Sequence, residues 1–163
     1  MSARAHVDAV TDFQRHGVQA GVNVGFGYAG KKGAVIGSLG VDSGTAPTLG
    51  IHDTIDYVHM PEREVGWRAG FGGTAALIGE PSFVGIRAAP LIPLRQRFSS
   101  HQSEKGGGDS SESLLAVSIE TAVGAAVRQG AEQPDGTHAP GDVRVGASAG
   151  VGLELYWLSR MWL

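Results

Sequence analysis

The chain is predicted to be all-β: an antiparallel meander of about eight strands that closes into a barrel. Three observations predict this. Apolar residues recur with period two in segment after segment, while period 3.6 is hard to find. Several alternating segments run 11–15 residues, well beyond the usual strand of about 5–6, and such long strands favour a barrel over a sandwich. Turns and loops join the segments, as antiparallel neighbours require.

The first clear segment is 18–28, with Val18, Ala20, Val22, Val24, Phe26 and Tyr28 on one row and Gln19, Gly21, Asn23, Gly25 and Gly27 on the other. Gly30, Lys31, Lys32 and Gly33 form a turn. In 34–41, Val35, Leu39 and Val41 are in phase; in 48–58, Leu49, Ile51, Ile55 and Tyr57 are, with Asp53 interrupting them. Segment 65–77 sets Val65, Trp67, Ala69, Phe71, Ala75 and Leu77 opposite Gly66, Arg68, Gly70, Gly72 and Thr74. After a tight GEPS turn comes 84–94, whose apolar row is broken by Pro90 and Pro93, marking an edge or a bulge. A polar loop covers 99–113, a strand 115–127, a second loop 129–141 and a final strand 143–158. Residues 1–17 are expected to form a short helix around Ala5–Gln14 or an unordered stretch, leaving 18–163 as the single barrel domain.

Composition limits the rest. The chain has 163 residues, enough for one domain, and 26 glycines, about twice the usual share, set inside patterned segments. A net charge of −3 gives no reason to expect nucleic acid, and the lack of cysteine excludes disulfides and thiolate metal sites. No apolar run approaches a transmembrane helix, and MSARAHVDAVTDFQRHG has no apolar core of a secretory leader. The chain as written is therefore expected to be cytosolic, or to start after a removed or misassigned leader.

Period two alone does not say which row faces inward, so the polar row must decide. A water-facing row is usually rich in long polar side chains; here it is mostly Gly, Ser and Ala with single charges. Lys31, Lys32 and Lys105 all fall in turns or loops. A narrow lumen explains such a row, because it admits small residues and a few charges that pair across it. The expected lumen network is Arg68, Arg87, Glu120, Arg128, Arg144 and Glu154. Tyr28, Tyr57, Trp67 and Trp157 lie near strand ends, where interfacial aromatics occur.

Through VQAGVNVGFGY, VGWRAGFGGTAAL, LAVSIETAVGAAV and VRVGASAGVGLELYW the chain resembles the small bacterial outer-membrane β-barrels of about eight strands, over roughly residues 18–158. The resemblance is one of strand pattern. It implies a transmembrane barrel in contact with membrane lipid, with a structural or interaction role or a narrow, porin-like solute passage. It also implies loop 99–113 facing the exterior, towards a cell-envelope partner. Seven segments are countable where such barrels have an even number, so one strand is expected outside them, lost with a truncated start. The competing expectation is a soluble lipocalin-like barrel whose apolar rows line a ligand cavity, or an assembly subunit whose apolar faces partners cover.

No cofactor is expected. His52, Asp53, Asp56, His59, Glu62 and Glu64 gather metal-ligating and acid–base residue types in IHDTIDYVHMPERE, but without a metal spacing such as HExxH, and read as a polar strand end and loop. His101 and His138 with the serines of 99–113 lack a GxSxG elbow, so no enzyme is expected. GKKG and EKGGGD lack the phosphate-loop form and read as turns.

Overall fold

A computed structural model of the protein describes residues 1–11, 16–30, 33–45, 49–61, 64–78, 81–102, 108–128, 130, 136 and 141–162. Eight strands follow in chain order: β1 Ser2–Thr11, β2 His16–Ala29, β3 Ala34–Gly44, β4 Leu49–His59, β5 Gly66–Ile78, β6 Ser82–Gln102, β7 Gly108–Arg128 and β8 Asp142–Trp162. Each pairs antiparallel with the next, and β8 pairs with β1, closing the ring.

The eighth strand is β1, at the start of the chain, where a short helix or an unordered stretch was expected. Ser2, Arg4, His6 and Asp8 point inward and Ala3, Ala5, Val7 and Ala9 outward, a period-two pattern that two neighbouring ladders satisfy. The expected loop 99–113 is also mostly strand: β6 runs to Gln102 and β7 starts at Gly108, so only 103–107 of it lies outside the described residues. The predicted bulge is present, as a register shift between Pro93 and Arg95. Lys31, Lys32 and Lys105 lie outside the described residues, as does most of 129–141.

The registers set the shape. The row that starts at Val35 passes through Tyr57, Ala69, Ala88, Thr121, Ala149, Ala9 and Val18, and bonds back to β3 at Thr45. One circuit of eight strands thus advances ten residues along β3, from 35 to 45. With a rise of about 3.3 Å per residue and strands about 4.8 Å apart, that stagger gives a tilt of about 40°.

The closed ring places the apolar rows outside. Among the described residues 32 large hydrophobic side chains are exposed, Tyr28 at 79% and Phe26 at 67% among them, whereas 17 polar or charged residues are buried. Along β2 the exposed row runs from Val18 to Tyr28. Ten residue steps at that tilt span about 25 Å of height.

Tyr28, Tyr57, Trp67 and Trp157 are all exposed, and closure brings them to one end. Even-numbered strands run towards this end and odd-numbered strands leave it. Trp67 packs with its ring centre 5.4 Å from Tyr57 and 5.7 Å from His59, tilted against both. Inside the same end lies the compact apolar cluster, with Ile36, Val58, Leu91, Leu114, Tyr156 and Leu158 at its centre. Past Leu91, where pairing with β5 stops, β6 continues with β7 and β8 as a three-stranded flap.

Candidate functional site

Alternation turns the charged residues of seven strands into the lumen, and the glycines beside them leave the room they occupy. At Gly21 an added Cβ would collide with Asp42 Oδ1, and at Gly150 with Asp8 Oδ1. The small-residue row is the space into which long charged side chains fold.

Arg68, 1% exposed, sits at the centre. Its Nε donates to Glu154 at 3.1 and 3.2 Å and its Nη2 to Glu120, while Nη1 lies 3.7 Å from Asp56. Arg4 approaches Glu120 at 3.1 Å and Glu154 at 3.5 Å. Arg87 holds Asp56 with a bidentate fork at 2.9 and 2.7 Å, the strongest geometry available to a guanidinium and a carboxylate. The Tyr156 hydroxyl donates to Glu154, and Thr54 to Asp56 at 3.1 Å. Three arginines therefore meet three carboxylates, so the cluster is neutral as a whole, which a buried ionic group requires.

A second group continues the network. A guanidinium has only donors. His52 Nε2, 3.0 Å from Arg87 Nη1, therefore accepts, and His52 Nδ1 carries the hydrogen facing Thr74 Oγ1 at 3.1 Å. Thr74 in turn donates to Asp42 at 2.7 Å. His6 Nε2 lies 3.1 Å from Asp42 and 3.5 Å from Asp8. A directed hydrogen-bond chain thus runs from Arg87 through His52 and Thr74 to Asp42. Among the described residues no group of three or more His, Asp and Glu has an arrangement that could hold a metal ion.

Among the described residues, the cavity lined by Arg4, Asp56, Arg68, Arg87 and Glu154 holds about 10 Å³, room for one water at most. With the apolar cluster below it, the ion cluster fills the lumen at this level.

Four of the six expected network residues meet here: Arg68, Arg87, Glu120 and Glu154. Arg144 does not. It lies near the start of β8 and bonds to Asp142 two residues away, at 2.5 Å and half-buried. Arg128 ends β7 at that same far rim, opposite Asp142 in the ladder. Both belong to the small-residue row, but at the wrong height. The residues gathered in IHDTIDYVHMPERE separate: His52 and Asp56 point in, Asp53 and His59 do not, and Glu62 lies outside the described residues. Arg4, His6, Asp8, Asp42, Thr74 and Tyr156 were not anticipated. The alternation of Arg4, His6 and Asp8 with small apolar residues was the available signal. His138 and the side chain of His101 lie outside the described residues.

No protein-family model, no curated protein and no solved structure matches the chain.

Proposed function

We propose that this chain is a non-enzymatic β-barrel of the bacterial outer membrane, closed across its lumen, that acts as a structural or interaction protein rather than a solute passage. The observation that carries the reading is the inversion: apolar side chains outside, a neutral ion cluster inside. An exposed apolar band in water is costly, at about 25 cal/mol per Å². The same band in lipid is required, and a height of about 25 Å matches the apolar band of outer-membrane barrels. The aromatics gathered at one end suit a girdle at the membrane surface. In the lipocalin-like alternative the apolar rows would line the cavity, and here that space holds arginines and carboxylates. The closed reading rests on the ion cluster and the apolar plug. The flap formed by β6, β7 and β8, at the end of which lie residues 99–102 and 108–113, is the candidate surface for a cell-envelope partner.

The test is reconstitution. The chain is expected to float with phospholipid vesicles, to need detergent when lipid is absent, and to give no steady conductance in a planar bilayer. A monodisperse aqueous monomer would sink the membrane reading. A steady open conductance from inserted protein would replace the closed barrel with a passage.

A further inference from the structure

The apolar belt has two polar interruptions near mid-height. On β4 the outward residues are Leu49, Ile51, Asp53, Ile55 and Tyr57, with Asp53 central. Its side chain is exposed, and no hydrogen bond or ion pair reaches it among the described residues. Its ladder partners are Leu39 and Gly73, and beside Gly73 lies a groove of about 380 Å³ walled by Ile55, Phe71, Ala75 and Val84. The other interruption is Thr121 on β7, also exposed, between Ala88 and Ala149 and beside a groove of about 390 Å³.

These two residues are level. The row through Asp53 passes Gly73 and Val84 and meets β7 at Ala125. A stagger of ten residues per eight strands lifts that row by nearly four residues over three strands, so the β7 residue level with Asp53 is Thr121, four positions back from Ala125. A bilayer holds every inserted copy at one depth and in one orientation, so only level groups can meet. A carboxylate facing hydrocarbon without a partner is costly, and ionisable groups at such depth find one. This belt offers no cation among the described residues, but it does offer a hydroxyl donor at the required height.

Resting on the membrane reading above, we propose that the β4 face of one copy docks on the β7 face of a second, with the Thr121 hydroxyl donating to the Asp53 carboxylate. Glycine and alanine beside the two residues let the barrels approach, as small residues do at membrane interfaces. The two faces differ, so the contact is heterologous and propagates into rings or rows rather than stopping at a dimer.

A benzophenone photocrosslinker placed at Val41, the outward residue of β3 beside this face, tests the contact in vesicles that have first been floated to isolate inserted protein. Illumination is expected to give dimers and larger species, with adducts mapping to residues 117–123 or 147–151 of the neighbouring copy. Asp53→Leu should cut the yield by about tenfold, the loss expected for one hydrogen bond between membrane segments. Floated protein that yields only monomer overturns the contact and leaves the membrane reading standing. So does a yield that Asp53→Leu leaves unchanged. Adducts mapping to β3 or β4 of the neighbour replace the proposed contact with a symmetric one. A chain that never floats overturns both readings.

Discussion

Arg68→Met is expected to be the most damaging single substitution in the lumen, lowering the stability of the folded barrel by about 3–5 kcal/mol. Methionine keeps much of the side-chain volume, so the loss comes from charge rather than from a cavity. Arg68 contacts Glu154, Glu120 and Asp56, and with it gone three carboxylates share Arg4 and Arg87. Glu154 is 2% exposed and cannot turn to water. Reversible urea unfolding in vesicles, followed through tryptophan fluorescence, measures the loss. Adding Glu154→Gln removes one orphaned charge while keeping an acceptor for the Tyr156 hydroxyl. The double variant should therefore lose less than the sum of the single losses, by about 0.5–3 kcal/mol. Strict additivity would show that Arg68 and Glu154 do not act as a pair.

That cluster also marks where sequence reasoning stops. Alternation is a local property, so the rows of β2, β5, β6, β7 and β8 could be read directly, and with them the side of the sheet on which Arg68, Arg87, Glu120 and Glu154 lie. Their meeting is not local: Arg68 and Glu154 are 86 residues apart, and whether two inward residues touch depends on their height after the ring closes. Arg144 and Arg68 look alike in sequence, each an arginine followed along its row by small residues. Only the registers place one at the rim and the other at the centre. β1 was missed for a different reason. Its outward row, Ala3, Ala5, Val7 and Ala9, is mostly alanine, so the hydropathy contrast that exposes the other strands is weak, and alanine with arginine also suits a helix. What holds this segment extended is the pair of ladders to β2 and β8, which no single-segment pattern contains.

The orientation of the apolar rows carries the functional proposal, and it yields a prediction whose size differs between water and lipid. Val22 and Val35 are almost equally exposed, at 57% and 50%. In water, an arginine at either site would be close to neutral, as exposed substitutions away from special features usually are. In a bilayer the two sites separate by depth. Val22 is the third of six outward residues from Val18 to Tyr28, near the middle of the belt, whereas Val35 pairs with Tyr57 and Tyr28 at the aromatic end. Val22→Arg should therefore cost about 2–4 kcal/mol and Val35→Arg about 0–1 kcal/mol when the barrel is unfolded from vesicles. The interior is the same in both variants, so the difference between them isolates the medium outside the barrel. Equal small effects at the two sites would mean that water or a protein partner, not hydrocarbon, covers the belt at Val22. A large loss confined to Val22 requires a low-dielectric medium whose depth follows the height of the barrel, and a lipid bilayer has that property.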